Sequence, residues 1–134
     1  MYEFHGWAAI HETTKEVDAG NLDLIIKRVQ NFVSGFHWSN GLFKIYPANG
    51  IYYLSVGGLL NRKTNETENL INVYYFLAKE APGSYGLLYI RDDESVDGHN
   101  NEFKVIVLAK GSLQMKEDVL LSPCVPVIED NDFA

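Results

Sequence analysis

Two spacings of apolar residues divide the chain. From Asn21 onward, Leu22, Ile25, Ile26, Val29, Phe32, Val33 and Phe36 recur every three or four positions, which predicts an amphipathic helix. Asn21 is its expected N-cap, Asp23 suits the first turn, and Lys27, Arg28, Gln30 and Asn31 fall on the solvent side. A second stripe of Leu70, Ile71, Tyr74, Leu77, Ala78 and Ala81 predicts another helix. It begins near Thr64 or Asn65, where Asn65 and Glu68 have capping-box spacing, and stops at Pro82-Gly83.

The remaining apolar segments are short and lack helical spacing. Tyr2 to Ile10 reads as a first strand that ends in the polar stretch His11 to Lys15, with Trp7 as a core or interface anchor. After a turn at Ser39-Asn40-Gly41, Leu42 to Tyr46 and Ile51 to Val56 flank Pro47-Ala48-Asn49-Gly50. The Asn-Gly pair there supplies the positive φ that a β-hairpin needs. Ser84 to Ile90 and Phe103 to Ala109 are nearly continuous apolar runs suited to central strands, joined by the polar connection from Arg91 to Asn101. Lys110-Gly111-Ser112 turns into a last strand near Leu113 to Met115, and the prolines of Ser122-Pro123-Cys124-Val125-Pro126 favour an extended tail. The resulting order, β-α-β-β-α-β-β-β, predicts an α+β fold: a mainly antiparallel sheet with both helices on one face.

A length of 134 residues with 46% hydrophobic content is expected to form one domain across residues 1–134. The first residues lack the basic and apolar regions of a signal peptide, and no apolar run is long enough to span a bilayer. The expected location is therefore cytoplasmic, away from membranes. A single cysteine, Cys124, excludes an internal disulfide and a multi-cysteine zinc site. The formal charge of -7 disfavours nucleic acid and anionic lipid, because neither releases counterions to a surface that repels phosphate; the same charge speeds encounter with a basic protein.

Asp93-Glu94-Ser95-Val96-Asp97-Gly98 matches the first half of a calcium loop. Lys104 stands where the bidentate glutamate belongs, however, so a solvated loop is the better reading. His5, His11, His37 and His99 have no metal-site spacing, although His5 and His11 can share a strand face. Cys124 has no predicted activating neighbour, and a free cysteine is usually a small buried hydrophobe. Gly83-Ser84-Tyr85-Gly86 is a helix stop rather than a nucleophile elbow, and Gly57-Gly58 marks close packing or a bulge rather than a phosphate loop. No cofactor is expected. What remains is a binding profile: 13% aromatic residues and an acidic loop of Asp92, Asp93, Glu94, Asp97 and Glu102. Glu129, Asp130 and Asp132 form a second acidic candidate, equally readable as a frayed end.

Three segments resemble the immunity protein 7 family of bacterial polymorphic toxin systems. They are Phe4-His5-Gly6-Trp7, the stretch from Ala81-Pro82-Gly83-Ser84-Tyr85-Gly86 through Leu87-Leu88-Tyr89-Ile90-Arg91-Asp92-Asp93, and Leu121-Ser122-Pro123-Cys124 with Pro126 and Ile128-Glu129-Asp130. The resemblance implies a cytoplasmic protein that binds and neutralises a cognate toxin domain without catalysis. It brings no catalytic or binding residues with it. On this reading the acidic loop is the expected contact with a basic or active-site surface of the toxin. The alternatives are a small-ligand regulatory domain and, less favoured, a thiol enzyme using Cys124; a homodimer through an exposed edge strand or aromatic patch stays open.

Overall fold

The computed structural model describes residues 1–13, 20–36, 38 and 41–129. The elements are β1 (Tyr2–Ile10), α1 (Leu22–Ser34), β2 (Leu42–Ala48), β3 (Ile51–Leu60), α2 (Asn65–Glu80), β4 (Tyr85–Asp92), β5 (Lys104–Ala109), β6 (Ser112–Glu117) and a short α3 (Cys124–Val127). The strands form one six-stranded sheet in the order β2-β3-β1-β4-β5-β6. Every neighbouring pair is antiparallel. The expected α+β architecture and order of main elements are therefore present, with β1 in the interior of the sheet and β2 and β6 at its edges.

Alternation decides which face the helices cover. Tyr2, Phe4, Ala8 and Ile10 of β1 join Leu54 and Val56, Leu88 and Ile90, and Ile106 and Leu108 in one buried cluster. Ile25, Ile26 and Val29 of α1 and Leu70, Val73, Tyr74 and Leu77 of α2 close that cluster from above. Complete burial of a leucine such as Leu70 or Leu77 contributes about 1.5–3 kcal/mol relative to leaving it in water. Lys27, Arg28, Gln30 and Asn31 face solvent as the helical spacing required.

Two positions show how closely α2 packs on the sheet. Tyr74 is fully buried, and its hydroxyl donates toward the carbonyls of Trp7 and Leu87, at 3.2 and 3.1 Å, one on each of the paired strands β1 and β4. Gly6 makes room for that hydroxyl, since a Cβ there would lie 2.5 Å from Tyr74 Oη. Gly58 fits its predicted role of close packing: an added Cβ would meet the Phe4 ring at 2.8 Å, within a β3 that continues unbroken to Leu60.

The turns follow their chemistry. Asn49 and Gly50 have φ of 52° and 78°, and Ala48 pairs with Ile51, so the first hairpin closes in two residues and Pro47 lies in edge strand β2. Lys110 and Gly111, with φ of 52° and 73°, close the β5–β6 hairpin in the same way. Asn21 stands at the N-cap of α1 without a side-chain cap bond. The capping box of α2 sits one residue earlier than its spacing predicted. Thr64 is the N-cap and Thr67, whose hydroxyl reaches back to the Thr64 amide at 3.2 Å, fills the role expected of Glu68.

The tail also differs from its extended reading. Residues Cys124–Val127 form a helical turn, although Val125 inside it keeps an extended conformation (φ -103°, ψ 115°). Hydrogen bonds tie this segment to the end of the acidic loop: Phe103 N donates to Ser122 Oγ at 2.8 Å, Cys124 N to Asn101 O at 2.8 Å and Val125 N to Asn101 Oδ1 at 2.9 Å. Val125, the residue before Pro126, thus keeps the extended backbone that a following proline favours, while these bonds dock the turn around it against the loop. The predicted turn at Ser39-Asn40, His37, the polar stretch beyond Thr13, and Asp130 and Asp132 lie outside the described residues.

Candidate partner-binding surface

The five carboxylates singled out from the sequence lie at one end of the sheet, where β4 leaves and β5 enters. Asp92 ends β4, Asp93 and Glu94 make the following turn, Asp97 sits at the outer bend, and Glu102 precedes the buried Phe103. The loop is internally organised. Asp97 accepts hydrogen bonds from Lys104 Nζ at 2.8 Å, from Ser95 Oγ and from His99 N at 3.0 Å. The Lys104 ammonium first, then the Ser95 hydroxyl and the His99 amide, hold its carboxyl well below the usual range. The register of β1 against β4 places Tyr2 beside Asp92, which brings the N-terminal ammonium of Met1 onto Asp93 Oδ1. Glu102 meets His99 Nδ1 at 3.3 Å.

The loop therefore presents its charge unevenly. Asp93 and Asp97 have cationic partners supplied by the fold, and Glu102 has a titratable one. Asp92 and Glu94 form no ion pair among the described residues, and Asp92 Oδ1 accepts from Glu94 N at 3.1 Å, which fixes the turn. Asp92, Asp97, His99 and Glu102, together with Lys63 and Lys104, line a pocket of about 170 Å³ floored by Tyr2 and Ile90. That volume suits a single side chain or a few waters rather than a metabolite, below the several hundred Å³ usual for small-molecule sites.

His99, Glu102 and Glu117 bring potential ligand atoms within 4.8 Å of one another. This is three donors on a solvent-facing surface, one short of a closed tetrahedral set. The calcium-like half-motif has another use: Asp97, its fifth position, spends its oxygens on Lys104, Ser95 and His99. His5 pairs with Glu3 at 2.7 Å, and His11 stacks on Tyr85 with centroids 5.6 Å apart.

Neither nucleophile candidate is presented for chemistry. Cys124 is fully buried, with the Arg91 guanidinium beside its thiol as a cationic neighbour that the sequence did not predict. Ser84 is buried as well, its hydroxyl accepting from His11 N at 3.1 Å, so Gly83-Ser84 ends α2 and fastens the β1 exit. Arg91, only 13% exposed at its side chain, bridges Glu3 at 3.1 Å and Glu129 at 3.5 Å, so the described part of the acidic tail is tied down.

Sequence reasoning missed the apolar neighbours of the loop. Tyr75 and Met115 are 59% and 61% exposed, while Ile71, placed in the core stripe, is only partly buried beside them. Tyr75 lies one position outside the predicted stripe, and Met115 belongs to a strand read only by its turn. The sheet face away from the helices carries a second aromatic group, in which Trp7, 43% exposed, meets Tyr85 edge-on at 6.0 Å. Among the described residues no helix is long and apolar enough to cross a membrane.

The model of the immunity protein 7 family matches residues 1–130, which takes in every element from β1 to α3. Searches of curated proteins and of solved structures returned no match to this chain. With the family match spanning the sheet, both main helices and the acidic loop, the chain belongs to the immunity protein 7 family, a typically non-enzymatic family whose membership implies toxin neutralisation.

Proposed function

We propose that the protein acts in the cytoplasm as a stoichiometric inhibitor, binding a cognate toxin domain through the acidic end of its sheet and occluding a basic or active-site surface. The observation that carries this reading is the family match over residues 1–130, joined to the clustering of Asp92, Asp93, Glu94, Asp97 and Glu102 at one end of the fold. A toxin that acts on nucleic acid must itself present positive charge, and a chain of net charge -7 attracts it over a distance set by the ionic strength. Asp92 and Glu94 contribute most to that attraction, because neither is held in an ion pair among the described residues. Lys104 and the N-terminus hold the loop in one shape, which lowers the ordering cost on binding.

Co-expression with the toxin domain encoded immediately upstream tests the function. The expected result is rescue of growth and co-purification at fixed stoichiometry. Absence of both rescue and complex would overturn the assignment.

A further inference from the structure

The acidic pocket opens, through Ile71 and Met115, onto a groove between α2 and β6 walled by Tyr75, Leu113 and Ile106. This groove is predominantly apolar, and its two most prominent side chains, Tyr75 and Met115, are more than half exposed. Beside it runs the outer edge of β6, which among the described residues pairs only with β5.

The two-residue turn fixes which backbone groups that edge offers. Ala109 and Ser112 flank the turn and exchange both ladder bonds, so the alternation of an antiparallel pair gives the bonds toward β5 to Ser112, Gln114 and Lys116. Asp118 N donates to Phe103 O at 3.2 Å, which continues the same alternation past the strand end. Leu113, Met115 and Glu117 therefore direct their N–H and C=O groups outward. Leu113 and Met115 also turn their side chains into the groove, opposite Leu108 and Ile106.

The geometry points to β6 as the docking edge for an extended segment of the toxin, added as a seventh strand. Its inward side chains are apolar and fill the groove at Tyr75 and Met115, and the end that reaches Glu117 and Glu102 is basic. The inference rests on the neutralisation reading and specifies how that partner is held. Main-chain bonds to Leu113 and Met115 supply affinity, the groove selects apolar residues at alternate positions, and the acidic end sets the register. Charge favours the toxin over a second copy of this chain, since two copies of net charge -7 repel one another as whole molecules whereas a basic segment is attracted.

Amide hydrogen exchange on the wild-type protein, free and with a catalytically inactivated form of the upstream-encoded toxin domain, tests this. In the free protein the Leu113 and Met115 amides exchange quickly while those of Gln114 and Lys116 are protected; in the complex, Leu113 and Met115 slow by at least about tenfold. Met115→Pro, which removes an outward donor and no ladder bond, weakens binding about tenfold or more, Met115→Leu changes it less than about threefold, and Tyr75→Ala weakens it with the fold retained. A complex in which Leu113 and Met115 exchange as in the free chain overturns the edge-strand inference alone. Protection of the same amides without toxin, rising with protein concentration, overturns it in favour of a second copy. Failure to form a complex overturns the neutralisation reading instead.

Discussion

Lys104 Nζ lies 2.8 Å from Asp97 Oδ2, so the first residue of β5 holds the outer bend of the loop that leads into it. The loop becomes a shaped acidic surface rather than a solvated strand of charge. Replacing Lys104 by methionine is expected to raise the titration midpoint of Asp97 toward the ordinary carboxylate value of 3.8, measured by NMR on the side-chain carbonyl. Because the folded-state value is depressed, the stability linked to Asp97 is present above pH 3.8 and disappears as pH falls through the folded value. Wild type and Lys104→Met should accordingly differ in unfolding midpoint at neutral pH and converge on acidification. A midpoint for Asp97 unmoved by the substitution would remove the ion pair as the cause.

The contact of Tyr74 with both β1 and β4 gives a stability test independent of the loop. Tyr74→Phe removes one hydroxyl shared by the Trp7 and Leu87 carbonyls and should cost about 1 kcal/mol in urea unfolding. Gly6→Ala should cost about 1–3 kcal/mol, since the new Cβ would stand 2.9 Å from Leu87 O, a backbone atom that cannot swing aside. Gly6→Ala in the Tyr74→Phe background should cost less than in wild type, because the hydroxyl above it is gone.

Asp118 holds the start of the tail. It is buried, and burial opposes its ionisation; the amides of Leu120 and Leu121, at 3.0 and 2.9 Å, and the Ser122 hydroxyl, at 3.1 Å, together outweigh that and draw its carboxyl below the ordinary value. Asp118→Ala should destabilise by about 1–3 kcal/mol at neutral pH, with the loss vanishing as pH falls below the carboxylate range. It should also speed reaction of the buried Cys124 with a thiol reagent, because the tail that carries Cys124 loses an anchor at Leu121 and Ser122. Unchanged thiol reactivity would show that the tail is held elsewhere, for example by Asn101.

Most of the fold was legible because burial on one face leaves a strict imprint. The stripe of Ile25, Ile26 and Val29 and that of Leu70, Tyr74 and Leu77 face the core as their spacing requires. The Asn49-Gly50 turn follows from local conformational preference alone. What escaped was decided by contacts distant in sequence. The Met1 ammonium reaches Asp93 only through the β1–β4 register, and nothing local to the tail announces that Asn101 captures Val125. The capping box slipped by a residue because threonine and glutamate both answer an N-cap amide, and only the backbone decides between them. The acidic loop itself could be named from composition; its division into paired and unpaired carboxylates could not.

That division allows the most direct test of the central claim. Association and dissociation rates with the inactivated toxin domain would be measured at low and high salt for wild type and for Asp92→Asn/Glu94→Gln, which removes charge without breaking an ion pair among the described residues. An acidic docking surface predicts an association rate several-fold lower at low salt, a shallower dependence on salt, and dissociation that changes little. Equal association rates with equal salt dependence in the two proteins would contradict the acidic surface, and the absence of any complex with wild type would contradict toxin neutralisation itself.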